Sequence, residues 1–316
     1  MNLAVLIITY SRPDGLSFLL DTLMSAEVRD IYIAIDGPRN SRDIVNQKKI
    51  DLEISKYLHE SKIRIHVLKR VQNLGVAGGV LNAIDWFFSQ EKMGLILEDD
   101  LRISKDLFRF SALALKKYED NPEVWMISGT QLFPNPKDTK HIVWSNYPMI
   151  WGWAGWSKKW KVMRESLLCK KDIGIRQLTD HRYLFWGVGS NRALSGKVDT
   201  WDTPLAFEFW KQGKFCLIPP VNLVSNTGYD EVSTNTNFVS KYMNLEIKTL
   251  HSNYQLTDKP NPVFAKKYDL LLEKEVFKIR KRHILIPYYS LILDLFRFPK
   301  QNRRKPLNKR IDWLEV

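Results

Sequence analysis

The sequence predicts an α/β fold with a Rossmann-like, mixed but mainly parallel sheet and a basic, amphipathic helical tail at its C-terminal end. Three observations support this class. Short apolar runs alternate with segments of helical spacing through the first hundred residues. Each apolar run ends in a polar cluster, as expected of parallel strands that bind ligands at one sheet edge. Residues 258–316 combine many cations with apolar and aromatic side chains.

The predicted elements follow one another as strand, helix and strand. Apolar runs of strand length occupy residues 3–8, 31–35, 63–68 and 95–97, and a further run occupies residues 124–128. Helical spacing occurs at residues 15–23, 44–58 and 79–88. Because a strand, helix and strand in one sheet form a right-handed crossover, this order implies that the first strands pair in parallel.

Length and charge divide the chain into three expected regions. Residues 1–130 form the ligand-binding half of one α/β domain, residues 131–257 its second half, and residues 258–316 the tail. The net charge is +13, and residues 259–316 hold 15 Lys and Arg against 6 Asp and Glu. Within residues 278–310, an apolar stretch between cations suits the surface of an anionic membrane. A C-terminal helix packed on the body remains the alternative.

The sequence favours a cytoplasmic location. Two cysteines are too few for a disulfide framework, and they indicate a reducing compartment. The N-terminus leads into an apolar strand without a basic leader, and the apolar stretch at residues 284–298 is too short to cross a bilayer. We therefore expect a cytoplasmic protein that touches the inner face of the cell membrane peripherally.

The most informative motif is an acidic triplet at the end of a predicted strand. Glu98, Asp99 and Asp100 follow the apolar run at residues 95–97. Carboxylates that end a buried strand need a cationic partner, and their hard oxygen atoms favour Mg²⁺ or Mn²⁺ carrying a phosphate. A helix N-terminus with an acidic first turn is the alternative, because apolar residues at helical spacing follow.

The other strand ends carry polar clusters that should meet the triplet at one edge of the sheet. They lie at residues 9–12, 36–39 and 69–75. Together they would present arginine, aspartate and the acidic triplet to a metal-bound nucleoside diphosphate. The glycine-rich stretch at residues 73–79 matches neither a dinucleotide fingerprint nor a Walker loop, so it disfavours dehydrogenases and P-loop NTPases. The segment after the first strand also lacks the phosphate loop of nucleotidyltransferases.

Two later segments are further candidates. Tryptophans crowd residues 144–160, and indoles separated by glycines could line a sugar-binding cleft or fill a junction inside the protein. Asp202 lies in a second polar cluster at residues 198–210. It could act as a general base or as a helix N-cap, because Thr203 and Pro204 follow it.

With these clusters in view, the chain resembles the glycosyltransferase A fold of nucleotide-sugar-dependent transferases. The likeness is closest to the N-acetylglucosaminyltransferase I family and to its bacterial relatives in surface-polysaccharide synthesis. Residues 98–110, continuing to residues 125–128, are similar to that family's Glu-Asp-Asp motif with its following helix and strand. The resemblance covers roughly residues 3–240, and residues 73–79 have features of family 2 glycosyltransferases.

The resemblance implies a role for each matching residue. Asp100 corresponds to the metal ligand, and Asp202 is the better candidate for the catalytic base, with Asp199 and Glu208 behind it. Donor-contacting positions include a nucleotide-binding arginine and a base-reading aspartate, and the tryptophans correspond to an acceptor loop. The expected donor contacts are Thr9, Tyr10, Arg12, Asp36, Asn73, Gly75, Gly79, Glu98 and Asp99, and the expected acceptor contacts are Trp151, Trp153 and Trp156.

The resemblance thus implies an inverting, Mn²⁺- or Mg²⁺-dependent hexosyltransferase that moves a sugar from a nucleoside diphosphate, most simply UDP, to a glycan or lipid-linked glycan. One departure affects the metal. Many relatives have a late histidine that assists the metal or diphosphate, whereas residues 232–236 offer Asn235 instead. The alternative is a non-catalytic module that binds nucleotides or nucleic acid through its basic surface. The gathered carboxylates disfavour nucleic acid as a partner.

Overall fold

A computed structural model describes residues 3–58, 63–135, 138–168, 180–228 and 242–279. These residues form ten strands, eight α-helices and one π-helical turn at Leu272–Val276. The strands are β1 Ala4–Thr9, β2 Asp30–Ile35, β3 Arg64–Lys69, β4 Met93–Glu98, β5 Leu101–Ile103, β6 Val124–Ser128, β7 Val143–Ser145, β8 Trp153–Trp156, β9 Phe215–Ile218 and β10 Val224–Asn226. The helices are α1 Pro13–Ser25, α2 Ser41–Ser55, α3 Gly75–Gln90, α4 Asp106–Lys117, α5 Ser157–Leu168, α6 His181–Leu194, α7 Asp202–Lys211 and α8 Pro262–Leu271.

The central sheet has eight strands in the order β3-β2-β1-β4-β8-β6-β9-β7. Strands β3, β2, β1 and β4 pair in parallel, and so do β6 and β9. Strand β8 runs antiparallel between β4 and β6, while β7 runs antiparallel to β9 at the edge. A separate antiparallel pair joins β5 to β10. The predicted mixed, mainly parallel α/β sheet is confirmed.

Both faces of the sheet are covered by helices. Val5 and Ile7 of β1 belong to one apolar cluster with residues of α1, α2 and α4. Leu6 of the same strand belongs to a second cluster with residues of α3, α5 and α7. All six residues of β2 are buried, as expected of a strand covered on both sides. Side chains at successive positions therefore leave the sheet into different helical layers.

The start of the predicted tail packs on the body of the protein. Asn261 caps α8 through a bond to the Phe264 amide, and the Asp269 carboxylate accepts hydrogen bonds from Ser145 Oγ (2.6 Å) and the Asn146 amide (3.1 Å). Residues 280–310, most of the predicted membrane contact, lie outside the described part of the chain. Among the residues that are described, no helix is both long and apolar enough to cross a membrane.

Lys159 ties α5 to the loop between α4 and β6. Its Nζ donates hydrogen bonds to the carbonyl oxygens of Tyr118 (2.8 Å), Asn121 (2.9 Å) and Val124 (2.8 Å). The same ammonium lies 3.8 Å from the centre of the Trp156 ring, a favourable cation–π distance. These contacts hold the start of β6 against the end of β8, its antiparallel neighbour in the sheet.

We predict that Lys159→Met lowers the free energy of unfolding by about 2–3 kcal/mol, because three partly buried carbonyl groups lose their donor. Urea unfolding followed by circular dichroism measures this difference. Lys161→Met is the matched control, since Lys161 is exposed on the same helix and its replacement should cost less than about 0.5 kcal/mol. Equal stability of the two variants would contradict the assigned role of Lys159.

Candidate active site

The loops that follow β1 and β4 meet at the carboxyl edge of the sheet. Parallel pairing sets Ile8 beside Glu98, so the next residues of both strands are neighbours. The Asp99 Oδ2 atom accepts hydrogen bonds from Thr9 Oγ1 (2.7 Å) and from the Tyr10 amide (3.1 Å). Asp99 therefore binds the loop after β1 in this structure, in the place where the sequence predicted a donor contact.

Asp100 lies between Arg12 and the end of β10. Arg12 Nη1 is 3.2 Å from Asp100 Oδ2 and 3.5 Å from Asp99 Oδ1. The Thr227 amide and hydroxyl both donate to the Asp100 carbonyl oxygen, at 2.8 and 3.0 Å. A Cβ atom on Gly228 would lie 2.3 Å from Asp100 Oδ2, so the approach of this loop requires glycine. Gly228 was not among the predicted site residues, although the Asn-Thr-Gly run at residues 226–228 is a typical turn signal.

The three carboxylates disfavour each other's ionisation. Burial raises the pKa of Glu98 to about 8, with further increases from the charges of Asp100, Asp99 and Asp202. Burial and the Asp100 charge likewise raise the pKa of Asp99 to about 6. Arg12 opposes both shifts, but one guanidinium does not balance the cluster. The cluster therefore has an excess of negative charge.

This excess of charge fits a divalent cation. Within the described residues, no group of three or more His, Cys, Asp or Glu side chains is arranged to hold a metal ion. The protein would thus offer Asp100 as a ligand, and phosphate oxygens and water would complete the coordination, as Mg²⁺ often accepts. The assignment of Asp100 to a metal remains a prediction.

Asp36 organises the start of α3. Its carboxylate accepts hydrogen bonds from the amides of Gly37 (2.9 Å) and Leu74 (3.0 Å) and from Asn73 Nδ2 (2.9 Å). A Cβ atom on Gly79 would come within 3.2 Å of the same carboxylate. The structure thus brings together Asp36, Asn73 and Gly79, as the strand-end pattern predicted. The base-reading role of Asp36 stays a prediction.

The glycine-rich stretch at residues 73–79 differs from expectation, because α3 already begins at Gly75. Helical spacing alone placed the start of this helix at residue 79. Its first amides gain acceptors from elsewhere, since Asp199 Oδ2 accepts from the Val76 amide (3.0 Å) and Asp199 Oδ1 from the Ala77 amide (2.9 Å). These distant carboxylate bonds stabilise a first turn that two adjacent glycines would otherwise weaken.

Tyr10 is covered on one side by Arg39. The Tyr10 hydroxyl bonds to Asp43 and accepts a hydrogen bond from Arg39 Nε at 2.7 Å. The Arg39 guanidinium also lies 4.6 Å from the centre of the Tyr10 ring. Burial and the bond to Asp43 raise the pKa of Tyr10 to about 12, so this hydroxyl stays protonated at neutral pH.

Asp202 is the exposed first residue of α7, on the side of the sheet toward which Glu98 points. Its charge contributes to the raised pKa of Glu98. Asp202 Oδ1 accepts a hydrogen bond from the Thr203 amide at 2.6 Å, and the Thr200 hydroxyl bonds to the same oxygen. Trp201 occupies the N-cap position. Asp202 is therefore both a helix-terminal residue and an accessible carboxylate near the cluster.

The tryptophan prediction needs a correction for two residues. Strand β8 lies between β4 and β6, so its side chains enter packed layers on both faces of the sheet. Trp153 is 2% exposed and packs beside Trp160 and Trp201, whereas Trp156 is 3% exposed and donates to the Leu115 carbonyl oxygen. These two indoles are core residues. Trp151 is partly exposed and remains the candidate for acceptor binding.

An open cavity of about 650 Å³ adjoins the carboxylates. It is bounded by the loop after β1, by α2, and by the segment at Thr227 and Gly228. Cationic side chains from three elements line it, and just one of them, Arg12, was a predicted donor contact. These residues are Arg12, Arg42, Lys49 and Arg102. The cavity thus joins carboxylates to cations, a composition that suits a metal-bound diphosphate.

No family model matches the chain, and no curated protein matches it. Among solved structures, it is similar to 4-diphosphocytidyl-2C-methyl-D-erythritol synthase from Anaerococcus prevotii, with 13% identity and a TM-score of 0.36 over 68% of this chain and 88% of that one. UDP-glucose pyrophosphorylase complexed with UDP-glucose gives 9% identity and a TM-score of 0.37 over 69% and 90% of the two chains. Mannose-1-phosphate geranyltransferase from Thermus thermophilus gives 12% identity and a TM-score of 0.33 over 69% of this chain and 74% of that one. Likeness at this level assigns neither a family nor an activity.

We predict that Glu98→Gln stabilises the metal-free protein at alkaline pH. The folded-state pKa of Glu98, about 8, exceeds its ordinary value of 4.5, so its contribution to stability is full below about pH 4.5 and declines as pH rises through 8. Between pH 6 and 9 in EDTA, the free energy of unfolding of the wild type should fall by about 2–3 kcal/mol more than that of the variant, as measured by urea unfolding at each pH. Glu119→Gln, at an exposed glutamate, is the control. If the free energies of unfolding of wild type and Glu98→Gln changed equally with pH, the assigned charge repulsion would be contradicted.

Proposed function

We propose that this protein is a divalent-metal-dependent, inverting glycosyltransferase. It transfers a sugar from a nucleoside diphosphate, UDP in the simplest case, to a hydroxyl group of a glycan or lipid-linked glycan. The observation that carries the proposal is the position of Asp100 just after β4, where its Oδ2 atom lies 3.2 Å from Arg12 Nη1 beside an open cavity that Arg42 and Lys49 also line. This geometry supports a metal-bound diphosphate at the ligand-binding edge of an α/β sheet, and the charge of Asp202, the proposed base, also acts on Glu98 of the acidic cluster.

The donor site follows from the charges around this cluster. Asp100 would hold Mg²⁺ or Mn²⁺ together with the phosphate oxygens of the donor. When bound, the metal supplies positive charge that stabilises the departing nucleoside diphosphate. Arg12 already bonds to Asp100, and Arg42 and Lys49 line the adjoining cavity. These cations would neutralise the remaining diphosphate charge.

Asp202 would act as the general base. Its carboxylate accepts the proton of the acceptor hydroxyl while that oxygen attacks the anomeric carbon of the donor. The bond between this carbon and the diphosphate oxygen breaks, and the electron pair leaves with the nucleoside diphosphate. A single displacement inverts the configuration at the anomeric carbon. Trp151, with its partly exposed indole, is the proposed contact for the acceptor sugar.

Donor binding should depend on both Asp100 and the metal. We expect a panel of nucleotide sugars to include one that raises the Tm in the presence of Mn²⁺ but not in EDTA. The stabilisation amounts to about 2.7 kcal/mol when the donor is present at about 100 times its Kd. Asp100→Asn should remove this shift, whereas Asp120→Asn, at an exposed aspartate, should keep it. An equal shift in Asp100→Asn, or release of pyrophosphate instead of nucleoside diphosphate, would contradict the proposal.

Turnover should depend on Asp202. We expect Asp202→Asn to lower kcat by about 10²–10⁴-fold while the Kd of the donor changes less than about threefold, since the amide cannot accept the proton. Nucleoside diphosphate release measures kcat, and calorimetry measures donor binding.

Asp106→Asn is the matched control for Asp202→Asn. Asp106 is also the first residue of a helix, but its carboxylate binds the Leu250 amide and Arg109. The control should turn over at the wild-type rate. Wild-type kcat in Asp202→Asn would refute the assignment of the base.

A further inference from the structure

The start of α3 joins two loops that lie far apart in sequence. Asp36, after β2, binds the Leu74 amide at 3.0 Å. Asp199, before α7, binds the Val76 and Ala77 amides at 3.0 and 2.9 Å. Leu74, which occupies the N-cap position, makes no side-chain cap of its own. Asp199 thus caps a helix that begins more than a hundred residues earlier in the chain.

The contact between Asp199 and α3 is closely fitted. Gly75 has a φ of +79°, a backbone conformation that side chains with a Cβ atom rarely adopt. A Cβ atom there would also lie 2.8 Å from Asp199 Oδ2. Glycine at residue 75 therefore serves two purposes, since it permits the turn into α3 and leaves room for the carboxylate.

Asp199 is followed by the residues that carry the proposed base. The hydroxyl of Thr200, the next residue, bonds to Asp202 Oδ1. An unbroken path therefore leads from the α3 amides through Asp199 and Thr200 to Asp202. The same helix start is fixed to the donor side of the site by Asp36.

We propose that Asp199 is a positioning residue that sets the place of Asp202 relative to the donor. This inference rests on the proposed function. Displacement of a catalytic group by about 1 Å can cost a hundredfold in rate. Both carboxylate oxygens of Asp199 accept hydrogen bonds from amides of α3. In the proposed reaction, the proton of the acceptor hydroxyl goes to Asp202. Loss of Asp199 should therefore impair turnover and leave donor binding largely intact.

Asp180 provides a matched control. It is also an aspartate that accepts two backbone amides at a helix start, those of Arg182 (2.9 Å) and Tyr183 (3.3 Å) in α6. Asp180 precedes this 14-residue helix and Asp199 follows it, so about 20 Å of helix separates them. Replacement of either residue removes a cap, but only Asp199 is joined to the proposed base.

The experiment compares Asp199→Ala with Asp180→Ala, using nucleoside diphosphate release from UDP-N-acetylglucosamine or from whichever UDP-sugar the thermal-shift panel selects. Both variants should have a lower Tm. Asp199→Ala should lower kcat by about 10–100-fold and change the donor KM less than about threefold, while Asp180→Ala keeps the wild-type kcat. If Asp199→Ala does not fold, Asp199→Asn tests the same contact and should lower kcat in the same way.

A double variant separates positioning from general destabilisation. If Asp199 acts through Asp202, adding Asp199→Ala to Asp202→Asn should lower kcat by less than about twofold further. A full additional loss, or equal kcat values for Asp199→Ala and Asp180→Ala in an active enzyme, would overturn the inference. A wild-type protein that releases no nucleoside diphosphate from any donor would instead overturn the proposed function on which it rests.

Discussion

Parallel pairing of β1 with β4 is the constraint on which the candidate site depends. Because Ile8 lies beside Glu98, the first residues beyond both strands are obliged to meet. Asp99 uses this proximity to bind Thr9 and the Tyr10 amide, and Arg12 is then brought to Asp100. The acidic cluster is costly to hold together, as the raised pKa values of Glu98 and Asp99 show. Binding of a metal ion or another cationic ligand would relieve this repulsion, and carboxylates with perturbed pKa values are common at functional sites.

The start of α3 links this edge to the segment that precedes α7. Its amides donate hydrogen bonds to the carboxylates of Asp36, which follows β2, and of Asp199, which precedes α7. Rigid positioning of this kind matters for a transferase, because two substrates must be aligned before reaction. The fold therefore offers a physical connection between the place proposed for the donor and the proposed base.

Apolar runs that end in polar clusters predicted the parallel strands of the sheet. They also predicted that the polar clusters at the ends of these strands lie close together. Residues 3–8 and 31–35 read as strands because their apolar runs are bounded by polar clusters, and connection rules then set their pairing. The burial of Trp153 and Trp156 could not be read in this way, since it depends on insertion of β8 between β4 and β6. The contacts of Asp199 and Gly228 were also not predicted, because they too depend on tertiary structure. Each joins segments that are distant in sequence, and neither leaves a periodic signal.

The proposal that Asp100 binds a divalent metal together with the donor diphosphate is best tested by locating the metal in crystals soaked with MnCl₂ and UDP. Anomalous scattering at a wavelength near the manganese edge identifies the ion without assumptions about the ligand. We expect an anomalous peak within coordination distance of an Asp100 carboxylate oxygen and of the UDP phosphates. A peak at other residues, or UDP bound with no metal near Asp100, would contradict the proposal.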